Sequence, residues 1–299
     1  MLDSNRFAPA AYARCPTPNP LVPTDPGPLR IDAHAHVFTR DLPLVPEARH
    51  APDYDALLET YLALLDAHGI THALLTAPSF LGTDNSYLLG ALGRGAGRLR
   101  GTVIVDPRID RKALGDFAKQ GVVGIRLNYF CAQSLPDFGA RDYQRLFASV
   151  RELDWHVEIY LEGPRLAPVL PLIVATGVKV VVDHFGSPDP QSGLQCAGFL
   201  AVLAAAAQGH TWIKLSAPYR LGGAHASIYA RALLRECGPE RLLWGSDWPW
   251  TQNAAAKTYG RTLEWLQLWV PEESQRQTIL GQTPAELFGF GAAPHRVSA

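Results

Sequence analysis

Short aliphatic and β-branched runs recur eight times between Leu29 and Gly245, and a longer amphipathic stretch follows each one. Strand-length runs separated by helix-length segments build βα units, and repeated βα units lay parallel strands side by side. The predicted strands are Leu29–His34, His72–Thr76, Gly101–Val105, Val122–Leu127, Trp155–Tyr160, Lys179–Asp183, Thr211–Leu215 and Leu242–Gly245. Helices are expected near Tyr54–His68, from Asp84 onward, and over Arg111–Lys119 and Asp142–Leu153. Further helices are expected over Pro164–Thr176, Cys196–Gln208, Ser227–Cys237 and Lys257–Val270, with a shorter helical tail beyond. Eight such units point to an α/β fold, a (β/α)8 TIM barrel. An open doubly wound sheet fits less well, because no glycine-rich phosphate loop follows any strand. The barrel is expected to be a single domain over residues 29–299. Proline dominates residues 1–28, and proline fixes φ and lacks an N–H, so this part is expected to be an extended N-terminal arm.

Polar groups close these strands. His34 and His36 lie one residue apart, so on a strand they face the same way and can converge on one metal ion or one carbonyl oxygen. His184 follows the sixth strand and Asp247 the eighth; Arg126, Tyr160 and Ser216 end others. Barrel enzymes carry their reactive groups at the C-terminal ends of the strands, so these residues are expected to share one pocket. Asp247 is positioned to activate a water as general base, the alternative being a helix N-cap. Arg126 and Arg220 are candidates for an anionic substrate group, the alternative being ordinary salt bridges. Ser79, Asp84 and Asn85 lie in the loop after strand two, where substrate hydrogen bonds and helix capping are equally open. Lys214 and Glu158 sit inside strands and are expected to pair as an ionic layer of the barrel floor, since unpaired burial is costly. Phe130, Trp248 and Trp250 are candidates for the pocket wall or for packing against helices.

Composition narrows the partners. A hydrophobic content of 47% suffices for a large core, and a net charge of −1 gives no electrostatic reason to expect nucleic acid or an anionic membrane. The four cysteines form no CxxC pair, which argues against a disulfide framework or zinc–thiolate site. No apolar run reaches the length of a membrane span, and the first residues lack the order of a secretion signal. The expectation is a soluble cytoplasmic protein acting on a small molecule; a homo-oligomer is compatible with it.

The motifs His34-Ala35-His36, Gly124-Ile125-Arg126, Asp183-His184-Phe185-Gly186 and Trp244-Gly245-Ser246-Asp247-Trp248-Pro249 resemble, in order and spacing, those of the amidohydrolase superfamily. Within it the chain is similar to the branch of 2-pyrone-4,6-dicarboxylate lactonase and related sugar-lactone hydrolases, from about Leu29 to Phe288. The resemblance implies a lactone hydrolase. Asp247 would deprotonate water; His34, His36 and His184 would surround the lactone carbonyl; and Arg126, Tyr160 and Arg220 would hold a substrate carboxylate or hydroxyl. Arg126 and Tyr160 occupy the positions where binuclear members carry further ligands, which argues against a two-metal centre; resemblance to the pyrone dicarboxylate lactonase type, with Arg126 as its nearby arginine cation, implies no cofactor. The alternative is a single Zn²⁺ on His34, His36, His184 and Asp247. Ala132 and Ser187 stand where the dicarboxylate enzyme carries basic residues, which implies a lactone with one carboxylate or a hydroxylated sugar lactone. Two other readings remain open: a zinc-dependent decarboxylase of an unsaturated or aromatic acid, and a non-catalytic ligand sensor.

Overall fold

The computed structural model describes residues 27–223, 225–255 and 257–291, so the expected N-terminal arm lies almost wholly outside the described residues. Eight parallel strands follow one another in chain order around a barrel. They are β1 Ile31–Ala35, β2 His72–Thr76, β3 Leu99–Val103, β4 Val122–Asn128, β5 His156–Tyr160, β6 Lys179–Val182, β7 Thr211–Leu215 and β8 Leu242–Trp244. Between them run α1 Leu58–Ala67, α2 Ser86–Arg94, α3 Arg111–Lys119, α4 Arg141–Glu152, α5 Gly163–Val174, α6 Ala197–Ala207 and α7 Ala226–Cys237. After β8 come α8 Tyr259–Trp269, α9 Glu273–Gln277 and α10 Thr283–Phe288. No helix among the described residues is long and apolar enough to cross a membrane.

Local chemistry sets the boundaries. Helix α3 starts where Asp110 accepts a hydrogen bond from the Ala113 N–H at 2.8 Å. Strand β3 stops at Val103, short of the predicted Val105, because the Ile104 N–H donates to the Asn85 side chain instead of continuing the ladder. Alanine-rich α6 lies so close to α5 that a Cβ at Gly198 would sit 1.8 Å from the Gly163 carbonyl oxygen. A glycine is therefore required at this crossing.

A bulge in β1 aims the site. Ile31 and Asp32 pair with His72 and Ala73, yet Ala35 pairs with Leu75, so β1 carries one residue more than its neighbour. Ile31 and Ala33 pack inside the barrel with Leu74, Val181 and Leu243, while Asp32 faces outward to Tyr61 of α1 and Tyr259 of α8. Uninterrupted alternation would leave His34 outside with Asp32; the extra residue turns it inward.

The barrel closes between β8 and β1 without a regular ladder. Asp32 spans the seam, accepting from the Ser246 N–H at 2.9 Å and from the Tyr61 and Tyr259 hydroxyls at 2.8 Å each. Beyond it the Asp247 N–H donates to the His34 carbonyl and the His36 N–H to the Trp248 carbonyl.

Lower in the barrel, His156 is fully buried beside Gly124, where a Cβ would come within 2.4 Å of the imidazole. Burial, reinforced by the Lys214 charge, pushes His156 down to about 3. The unfolded chain takes up a proton near pH 6.5 that the folded protein refuses, so this residue makes stability fall as pH drops from about 6.5 toward 3. The limiting slope is about 1.4 kcal/mol per pH unit. Urea unfolding between pH 7 and pH 5 is expected to show a shallower pH slope for His156→Gln than for the wild type; equal slopes would contradict the assignment.

Candidate active site

At the C-terminal mouth of the barrel, strand ends bring His34, His36, His184 and Asp247 together. Asp247 Oδ1 lies 3.5 Å from His34 Nε2, 3.8 Å from His36 Nε2 and 3.9 Å from His184 Nε2. The other oxygen, Oδ2, accepts from the Tyr219 hydroxyl at 2.6 Å and from Arg220 Nε at 3.1 Å. Asp247 and His184 both adopt left-handed backbone conformations, φ 55° and 48°. Such strain in non-glycine residues concentrates at functional sites, where the surrounding structure enforces it.

Burial alone would raise the Asp247 carboxyl, but Arg220, His184 and His36 outweigh it and hold the carboxyl well below the usual carboxylate range. Burial lowers all three site histidines, His184 to about 4, so the imidazoles are neutral at neutral pH. Asp247 Oδ1 and His34 Nε2 are buried without a hydrogen-bond partner and face each other across the gap, which is the place for a water or substrate atom.

Each imidazole is held from behind. His36 Nδ1 lies 2.7 Å from the Thr76 carbonyl oxygen, which only accepts, so Nδ1 carries the proton and Nε2 offers a lone pair. His184 Nδ1 lies 2.8 Å from Ser216 Oγ. His34 Nδ1 lies 2.9 Å from the Lys214 ammonium. His34, His36 and Asp247 offer possible ligand atoms within 4.8 Å of one another, as do His34, Asp183 and His184, so distance alone would suit a cation. A metal-bound imidazole donates its other N–H to an acceptor. Behind His34 Nδ1 stand both the Lys214 ammonium and Asp183 Oδ1, 2.9 and 3.3 Å away, so the fit turns on which of them sets the His34 tautomer.

Below these rings lies a buried charge network. Lys214 meets Glu158 at 2.5 Å and Asp183 at 3.2 Å, and Arg126 meets Glu158 and Asp183 at 3.1 Å each. Burial and the Asp183 charge push Glu158 up, to about 7. The expected Lys214–Glu158 pair is present, with Asp183 and Arg126 completing it.

A cavity of about 480 Å³, counting its open mouth, opens beside His184. Arg126, Tyr160, Arg220 and Ser79 line it together with His184. The Tyr160 ring stacks on Phe130 with centroids 4.5 Å apart, and its buried hydroxyl has no partner. Burial pushes that hydroxyl up to about 12, so it stays a neutral donor. Arg126 is a wall rather than an open hand: besides Glu158 and Asp183 it donates to the Ala77 carbonyl at 3.0 Å. Asn85 is not among the lining residues; its amide donates to the Thr83 and Ile104 carbonyls and accepts from the Ile104 N–H, tying the loop to β3. Asp84 accepts from the Ser86 N–H in a turn that leads into α2. Trp248 stacks on Tyr61, and Trp250 donates to the Ser246 carbonyl, so both are packing residues.

Sequence reasoning missed Arg49 and His50, which line the mouth from the loop after β1. That loop has no periodicity to flag them. It also missed Tyr219, whose hydroxyl holds Asp247; its place beside Arg220, just past a strand end, was the available signal.

A 4-sulfomuconolactone hydrolase of Rhizobium radiobacter is 30% identical over 270 residues, covering 86% of this chain and 89% of its own. A crystal structure from Acinetobacter baumannii, described as a probable 2-pyrone-4,6-dicarboxylic acid hydrolase with citric acid bound, shares 35% identity at a TM-score of 0.83. It covers 87% of this chain and 99% of its own. A Pseudomonas putida structure described in similar terms shares 39% identity at a TM-score of 0.82, covering 89% and 99%. The amidohydrolase family model matches residues 31–290, and the chain belongs to that family.

Proposed function

We propose that the protein is a hydrolase that opens an anionic lactone, a cyclic carboxylic ester, by attack of water. The observation that carries the reading is Asp247 Oδ1, buried, without a hydrogen-bond partner and 3.5 to 3.9 Å from three imidazole Nε2 atoms. Water between Asp247 and His36 gives one proton to Asp247 Oδ1 while its oxygen bonds to the lactone carbonyl carbon. The bare Nε2 of His36 accepts the water's other hydrogen and aligns the nucleophile. Charge developing on the carbonyl oxygen meets imidazole N–H donors in a water-poor site, where such donors act most strongly. The ring C–O bond then breaks, and the departing oxygen takes the proton from Asp247, leaving a hydroxy acid.

A carboxylate held so low is a weak base, and the anionic substrate answers that. A substrate carboxylate or sulfonate meeting Arg220 shares the guanidinium now held by Asp247 and returns basicity to it. The hydrolases it resembles, of 4-sulfomuconolactone and of 2-pyrone-4,6-dicarboxylic acid, are named for anionic lactones. Arg49 supplies a second cation at the mouth, 5.6 Å over the Phe130 ring. With alanine at 132 and serine at 187, one distal anionic group or a hydroxylated substituent fits better than two carboxylates.

The test is acid release from a panel of neutral, monoanionic and dianionic lactones at constant pH. Turnover favouring anionic lactones is expected, and no turnover of any class would overturn the reading. Arg49→Gln is expected to raise KM for an anionic lactone about tenfold, the loss of one charge-assisted contact, with little change in kcat. An unchanged KM would remove Arg49 from the site.

A further inference from the structure

We infer that Lys214 fixes His34 as the Nε2–H tautomer, making His34 a donor to the substrate carbonyl and unsuited to hold a metal. An ammonium has three N–H groups and no lone pair. Lys214 sits between Glu158 and Asp183 and points a further N–H at His34 Nδ1, 2.9 Å away, so that nitrogen must accept. The competing partner is Asp183 Oδ1, 3.3 Å from the same nitrogen. That contact is longer, and Asp183 Oδ1 is itself met by the Lys214 ammonium at 3.2 Å. The His34 proton therefore resides on Nε2, which is buried, unpartnered and aimed at the gap before Asp247.

Two histidines one residue apart thus take opposite forms. His36 backs onto a carbonyl and presents a lone pair; His34 backs onto an ammonium and presents a proton. One suits the attacking water and the other the developing oxyanion. A cation on His34 Nε2 would need the proton moved to Nδ1, directly against the Lys214 charge. Lys214 is accordingly a positioning residue. The inference rests on the lactone-hydrolase reading only for the identity of the atom that His34 Nε2–H meets.

The test is a long-range ¹H–¹⁵N correlation spectrum of the full chain labelled at histidine, with His34→Gln identifying the His34 signals. The expected spectrum places the proton on Nε2 of His34 and on Nδ1 of His36. A proton on Nδ1 of His34 would overturn the inference. A double variant, Lys214→Met with Glu158→Gln, removes one cation and one anion and leaves Arg126 paired with Asp183. There the His34 proton is expected to shift to Nδ1, and the protein to retain about one zinc after dialysis against the metal where the wild type retains none. An unmoved tautomer in the double variant, or stoichiometric zinc in the wild type, would also overturn it. None of these readouts uses turnover, so an inactive lactone panel would remove the lactonase reading and leave the tautomer assignment standing.

Discussion

Asp247→Asn is expected to lower kcat by roughly 10³–10⁴-fold while changing ligand binding only a few-fold. The amide keeps the shape of the carboxylate but cannot take a proton from water. The loss should fall on kcat because Oδ1 faces the reacting water, whereas Arg49 and Tyr160, which face the substrate's substituents, are untouched and Arg220 can still donate to the amide oxygen. The residual rate would reflect the imidazole donors and the positioning of bound substrate. Full activity in the variant would mean that the base is another group. An unchanged rate with normal binding is also what a ligand sensor would give.

The largest expected loss of stability comes from Asp32, a residue that never touches substrate. Asp32→Leu leaves the buried hydroxyls of Tyr61 and Tyr259 and the Ser246 N–H without their acceptor. Each buried donor so stranded costs about 1–3 kcal/mol, so a total near 5 kcal/mol is expected, a large share of a typical domain's stability. The seam between β8 and β1 has few backbone bonds to compensate. Asp32→Asn should cost less, because it retains one acceptor oxygen and fills the same space. Urea unfolding followed by tryptophan fluorescence measures both. A Leu variant within about 1 kcal/mol of the wild type would show that the seam is held by something else.

The barrel was legible because its signals are local. Val180-Val181-Val182 or Thr211–Leu215 reads as a strand from a handful of residues, and the polar residue after each marks the mouth. His34, His36, His184 and Asp247 followed from that punctuation together with the family motifs. What stayed hidden depends on geometry between distant residues. The stretch Ile31-Asp32-Ala33-His34-Ala35 looks like perfect alternation, and nothing in it announces the extra residue that turns His34 inward. Asn85 was a candidate for substrate because an amide in a loop reads the same whether it meets a ligand or the backbone of a neighbouring strand. Arg126 stood correctly at the mouth, but its three internal partners come from β5, β6 and the end of β2. The ammonium behind His34 lies 180 residues along the chain. No spacing rule could have joined them.

The central claim is that water, activated at Asp247, opens an ester ring. It is tested most directly by running the reaction in H₂¹⁸O with the lactone that the panel selects and locating the label by mass spectrometry. The account predicts one ¹⁸O in the new carboxylate, none in the released hydroxyl, and loss of the labelled product in Asp247→Asn. Label in the hydroxyl, or a product lighter by carbon dioxide, would contradict it.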